Sequence, residues 1–238
     1  MVKTATVEPS VLGLKSMRLL EGVPHAALEV LARQCRWRRF VPDERIISRE
    51  APDNDVYLIV SGRVRVTAFS AGGRQVTFGD IKAGQWFGDF AAIDGFSRSA
   101  DVVALDDTLT AAMSPALFQR LLREHPAVCD CMLRRLVTCV RELSDRIYDF
   151  STLGVQNRVH AEILRRARQA GVNGNSARID PAPKHSDIAG QISTYREQVT
   201  RELSAMAKQG LVQRSGTALV VPDVALLERL VSEVRASA

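Results

Sequence analysis

The stretch FGDFAAIDGFSRSA, from Phe87 to Ala100, gathers two glycines, two aspartates and one arginine among small and apolar residues. A guanidinium suits an anion, and an ionised carboxylate suits a hydroxyl donor. Two readings fit this composition. One is a surface loop braced by a local ion pair between Asp89 and Arg98. The other is a pocket for a molecule that carries both a hydroxyl and a phosphate.

Other chemistry is thinly represented. Of the four cysteines, Cys129, Cys131 and Cys139 fall within one expected helix, and Cys35 stands apart. A C-x-C pair on a helix points its sulfurs about 200° apart, which is poor ligand geometry. No C-x-x-C occurs, so ordinary thiols are expected rather than a metal or iron–sulfur site. The histidines, His25, His125, His160 and His185, are scattered and read as surface or structural residues. No P-loop and no nucleophile motif is present, and catalysis is not expected.

A second constellation lies in KHSDIAGQISTYREQVTRELSAMAKQGLV. Ser186 is read as the cap of a short helix, Asp187 to Ile192. A second helix is expected from Thr194 to Lys208, opened by a capping box in Thr194-Tyr195-Arg196-Glu197. Val199, Leu203 and Met206 form its inward stripe. Glu197, Arg201 and Lys208 lie roughly opposite, with Arg196 and Thr200 on one flank. Arginine can donate twice to guanine, and glutamate can accept from cytosine. The alternative is a solvated face carrying a Glu197–Arg201 pair, worth a few tenths of a kcal/mol. A tight turn containing Gly190 before the helix, and a hairpin after it, favour a helix that enters the major groove of DNA. After Gly154 the chain carries 12 Lys/Arg against 8 Asp/Glu, so most of the net charge of +5 sits where phosphates would need it.

These residues need elements to hold them. The 238 residues, 46% hydrophobic and 25% charged, suit a globular protein able to fold without disulfides. No apolar run is long enough for a membrane span, and the first residues lack a signal-peptide core, so a cytoplasmic protein with no membrane partner is expected. Residues 24–35 read as a short helix. From Trp37 to Met113, short apolar runs alternate with turn residues, including Gly72-Gly73 and Ala83-Gly84, which reads as an antiparallel sandwich or roll. Ser114-Pro115 reads as N-cap and N1 of a helix ending near His125. Pro126 opens a long helix whose apolar positions Cys129, Leu133, Leu136, Val140, Leu143, Ile147 and Phe150 alternate at intervals of four and three. That heptad seam favours a partner helix, most simply the same helix of a second copy, over an amphipathic helix packed on its own domain, a role that part of the stripe could fill. Val159 to Ala170 reads as a helix, Gly171 to Ser186 as a loop, and LVQRSGTALVV as two short strands. The expected class is α+β, divided as 1–125 for the roll, 126–153 for the long helix and 154–238 for a winged helix-turn-helix.

The order of a β-roll, a heptad helix and a winged helix-turn-helix resembles the cyclic-AMP receptor protein (Crp/Fnr) family of transcription regulators over essentially the whole chain. IVSGRVRV is similar to the family's strand–glycine–strand signature. GGRQVTFGDIKAGQWFGD and SRSADVVAL resemble the approach to, and the end of, its phosphate-binding cassette. YREQVTRELSAMAKQGLV is similar to its recognition helix and the turn that follows. The resemblance implies a cyclic nucleotide effector, cAMP first and cGMP next, with no prosthetic group. Asp89 would accept from the ribose 2′-hydroxyl, and Arg98 and Ser99 would hold the cyclic phosphate. Gly88 would let the backbone approach the sugar, and Phe90–Ile93 would form a helical turn. Leu143 and Ser144 fall where the family meets the base. Asp89 stands where glutamate is usual, and Ser97 where proline is common. Arg196, Glu197 and Arg201 match the base-reading triad, with Thr194, Tyr195 and Thr200 beside them. The implied partners are palindromic double-stranded DNA with TGTGA-like half-sites, a second copy of the chain, and RNA polymerase. Two rivals remain: a nucleotide-sensing scaffold acting through protein partners, and a DNA-binding regulator that takes no cyclic nucleotide.

Overall fold

A computed structural model describes residues 8–70 and 75–236. The turn expected at Gly72-Gly73 lies outside the described residues. The chain forms two compact units, Met1–Thr138 and Cys139–Ala238, and the division falls within one long helix.

The first unit begins with α1 (Val11–Lys15), a 3-10 turn and α2 (His25–Gln34). Eight strands follow: β1 (Arg36–Phe40), β2 (Arg45–Ile47), β3 (Val56–Ser61), β4 (Arg63–Phe69), β5 (Gln75–Lys82), β6 (Trp86–Phe87), β7 (Asp101–Ala104) and β8 (Thr108–Met113). They build two four-stranded sheets of order β1-β8-β3-β6 and β2-β7-β4-β5. Every pairing is antiparallel, as short strands separated by tight turns require. Ile47, Ile59, Val64, Phe87 and Val102 form one buried cluster, and the larger cluster joins Leu58 and Met113 to Leu14, Phe118 and Met132 of the helices.

Gly62 explains the strand–glycine–strand signature. Its φ is +87°, and a Cβ there would stand 2.5 Å from the Asp107 carbonyl oxygen, so only glycine lets β3 turn into β4 against that backbone.

Between β6 and β7 the chain makes α3 (Asp89–Asp94), the helical turn expected around Phe90–Ile93. The helix α4 (Pro115–Glu124) starts as its sequence dictates: Pro115 takes the first position, and the Ser114 hydroxyl accepts from the Leu117 N–H at 3.3 Å. Pro126 opens α5 (Pro126–Thr152). Its apolar positions divide. Leu136 packs on the core of the first unit. Leu133, Val137, Val140, Leu143, Ile147 and Phe150 are exposed along the helix. The strict seam is therefore modified: Val137 joins the outward stripe, and Leu136 belongs partly to the chain's own core.

The second unit holds α6 (Val155–Ala170), β9 (Val172–Asn173), β10 (Ser176–Ile179), α7 (His185–Gln191), α8 (Arg196–Lys208), β11 (Gln213–Ser215), β12 (Ala218–Val221) and α9 (Val224–Ala236). Its sheet runs β11-β12-β10-β9. The segment 171–186 is not simply a loop. Gly174-Asn175, with Gly174 at φ +65°, turns β9 back onto β10, and a Gly-Asn pair between short strands is a hairpin signal. Helix α6 begins at Val155, four residues before the expected Val159. Helix α9 was not foreseen, although Val224, Leu227 and Val231 are buried at helical spacing.

Candidate effector pocket and nucleic-acid interface

The cassette is built around Arg98. Its side chain is 4% exposed. One terminal nitrogen donates to the Gly88 carbonyl at 2.9 Å, and the other donates to the Asp55 carbonyl at 2.8 Å and to Asp53 Oδ2 at 2.9 Å. The Glu50 N–H donates to the Arg98 carbonyl at 2.9 Å, so backbone and side chain are both fixed. The guanidinium carbon lies 5.9 Å from the Tyr57 ring centroid, and that ring stacks on Phe87 at 5.0 Å. Among the described residues, the buried Arg98 Nε has no acceptor. A buried charged donor without a partner is costly, and an anion meeting it would remove that cost.

The local ion pair between Asp89 and Arg98, offered above as an alternative, does not form. Arg98 takes Asp53 instead, forty-five residues away in sequence. Asp89 sits buried at the start of α3. Burial pushes its carboxyl above the ordinary range; its own backbone N–H, Arg135, Trp86 and Arg98 oppose the rise. Arg135 of α5 lies over the Trp86 ring at 5.5 Å. The Trp86 indole N–H comes near the Asp89 carboxylate but meets no acceptor at hydrogen-bonding geometry.

Gly88 caps α3 at φ +86°. A Cβ there would stand 2.6 Å from the Asp55 carbonyl oxygen and 2.7 Å from an Arg98 nitrogen. The glycine therefore permits the arginine to lie against the backbone. Phe90 and Ser99 are exposed at the edge of the same cassette. On α5, Leu143 is exposed, and the Ser144 hydroxyl donates back to the Val140 carbonyl at 2.9 Å.

In the second unit, Val199, Leu203 and Met206 are buried, as the stripe required. Arg196, Glu197, Thr200 and Arg201 are exposed, and so is Tyr195 at the N-cap position. The Glu197–Arg201 pair is not formed. Two capping assignments are corrected. Helix α8 starts at Arg196, and the buried Thr194 directs its hydroxyl to the Gln198 side chain rather than capping the helix with Glu197. Helix α7 starts at His185, which puts Ser186 inside it. The chain enters both helices from extended residues, Lys184 and Tyr195, that give no side-chain cap.

A cavity of about 520 Å³ opens beside α8, lined in part by Lys184, His185, Arg196 and Arg214. Burial, then Arg196 and Arg214, push the His185 imidazole below its ordinary range. His185 Nδ1 meets the Thr200 hydroxyl at 2.7 Å, and the latter donates to the Arg196 carbonyl at 3.0 Å. Three permanent cations and a histidine around one hollow suit a polyanion. Lys184, His185 and Arg214 were missed from sequence, because a hairpin and a helix start bring them together only in three dimensions. Asp53, Asp55 and Tyr57 were missed for the same reason.

The comparisons with known proteins agree with this geometry. The cyclic nucleotide-binding domain family matches residues 37–125, and the Crp-like helix-turn-helix domain family matches residues 157–230. The "Cyclic AMP receptor protein" of Thermus thermophilus is 31% identical over 175 residues, 74% of this chain and 78% of that protein. Among solved structures, a CooA mutant from Carboxydothermus hydrogenoformans aligns with a TM-score of 0.76 at 20% identity, covering 95% of this chain and 98% of that one. The "c-di-GMP Responsive Global Regulator CLP" of Xanthomonas campestris aligns at 0.69 and 16% identity, covering 84% and 99%. The chain belongs to the Crp/Fnr family of transcription regulators, with a cyclic nucleotide-binding domain and a Crp-like helix-turn-helix. No helix among the described residues is long and apolar enough to cross a membrane.

Proposed function

We propose that the chain is a homodimeric regulator gated by a cyclic mononucleotide, cAMP before cGMP. The observation that carries this reading is Arg98: a rigidly held, buried guanidinium with one donor left unpaired, beside a buried carboxylate at Asp89. The cyclic phosphate would sit on Arg98 and Ser99. The ribose hydroxyl would donate to Asp89, with Gly88 and Phe90 at its edge. Leu143 and Ser144 would face the base. The name of the Thermus relative supports cAMP.

Pairing of two α5 helices would cover the stripe from Leu133 to Ile147, which is apolar and exposed on a single chain. Effector binding would bias α5 and so set the spacing of two α8 helices. Arg196, Glu197 and Arg201 would read base edges of TGTGA-like half-sites about one DNA turn apart, with Tyr195 and Thr200 tuning flanking preference. Thr194 acts inside the unit rather than on DNA, since it is buried. RNA polymerase is the partner such a bound dimer would present itself to.

The test is binding of a palindromic fragment at fixed salt with cAMP, with cGMP and with neither. Tighter, sequence-selective binding with cAMP is expected; equal binding in all three would refute gating by these nucleotides. A second reading, a different effector, is favoured by the Asp53 carboxylate already on Arg98, and the Xanthomonas regulator is described as responsive to c-di-GMP. Selective tightening by c-di-GMP in the same assay would decide for it.

A further inference from the structure

The surroundings of Arg98 are asymmetric. The cation is fixed: it is 4% exposed and held by the carbonyls of Gly88 and Asp55. Its anion is not. The Asp53 side chain is 45% exposed and lies in the segment between β2 and β3. Beyond Arg98, its carboxylate meets, among the described residues, only the Tyr57 hydroxyl, at 3.4 Å. The contrast with Asp55 is sharp. That residue is 8% exposed, its carboxylate pairs with Arg36, and its carbonyl holds Arg98. Asp55 is part of the frame, whereas Asp53 can leave for solvent by losing one charge-assisted contact and one long hydrogen bond.

We propose that Asp53 is a displaceable counter-ion for Arg98, one that sets both the affinity and the charge selectivity of the effector pocket. This rests on the reading of Arg98 as the phosphate ligand. A cyclic phosphodiester carries one negative charge, so it exchanges with Asp53 one for one. A phosphomonoester such as 5′-AMP carries close to two at neutral pH, more than the one guanidinium balances, and a displaced Asp53 stays tethered to the same segment, so its charge adds to the excess. The resident anion therefore lowers affinity for every phosphate, and lowers it most for the doubly charged ones. It also keeps the buried cation neutralised when no nucleotide is present, which an empty arginine pocket could not do.

Isothermal titration of cAMP and of 5′-AMP into the full-length wild type, Asp53→Asn, Asp53→Ser and Asp107→Asn tests this. Asp107 is exposed near the far end of β3, about 20 Å along the strand from Asp53. Loss of the Asp53 charge is expected to tighten cAMP about tenfold and 5′-AMP by a larger factor, with Asp107→Asn unchanged. Weaker or unchanged cAMP binding in both Asp53 variants, with wild type still binding, would overturn the counter-ion role and leave the pocket reading intact. An equal gain in Asp107→Asn would overturn it in favour of net charge. Failure of wild type and both Asp53 variants to bind any cyclic nucleotide would overturn the pocket reading itself, and the counter-ion role with it.

Discussion

The two candidate sites solve opposite problems. In the cassette two buried charges already have partners: Arg98 has Asp53, and Asp55 has Arg36. On α8 the charges of Arg196, Glu197 and Arg201 are exposed and unpaired among the described residues. A small ligand offers few contacts, so its site must be pre-organised and dry, and the fold supplies counter-ions to tolerate that. A DNA groove offers many contacts and its own negative charge, so the reading helix can leave its cations in water until it docks. The cassette should therefore be sensitive to single charge changes through affinity and stability together. The helix should be sensitive through specificity alone.

The largest expected effect joins the two. Leu143→Asp puts a charge into the exposed stripe of α5. Burial of an unpaired carboxylate costs several kcal/mol, so sedimentation should show dimerisation weakened by more than about a hundredfold. A profile that stays dimeric would mean that the stripe is not the interface. Next, Arg201→Ala should relax discrimination at one base pair by about 1–3 kcal/mol in competition binding, while thermal stability stays unchanged. A uniform loss on all sequences would instead make Arg201 a phosphate contact, and would blur the contrast with Arg98.

The smallest effect concerns Asp89. Its folded-state pKa is raised, mainly by burial, above the ordinary 3.8. A raised carboxylate pKa means that the folded state holds its proton longer, so stability falls as pH rises from about the ordinary value through the raised one. Asp89→Asn should lack that fall. Its first unit should melt at most a few degrees higher than wild type at neutral pH, and at the same midpoint below the carboxylate range. Nucleotide affinity should drop in the same variant. A variant that melts lower at neutral pH and binds as tightly would show that Asp89 serves the fold and not the ligand.

The same contrast explains what the sequence made legible. The outward face of α8 followed from three buried positions, because a helix fixes the other directions once one stripe is known. The caps of α7 and α8 did not follow, because Thr194 found a better partner in Gln198 and the chain entered both helices from extended residues. In the cassette, Gly88, Asp89 and Arg98 were legible as a local cluster. The counter-ion was not. Asp53 reaches Arg98 only because β3 pairs with β6 and brings Tyr57 opposite Phe87, and no local periodicity records that register. The Gly174-Asn175 hairpin carries a readable turn pair, but its strands are too short to show alternation, so the segment reads as loop.

The central claim is that the buried Arg98 guanidinium is the anchor of the effector. Calorimetric titration of cAMP into wild type and Arg98→Ala, with each protein's fold checked by its thermal transition, tests it most directly. The account predicts saturable binding at one site per chain in wild type and none in a folded Arg98→Ala protein. Equal affinity in the two would contradict it.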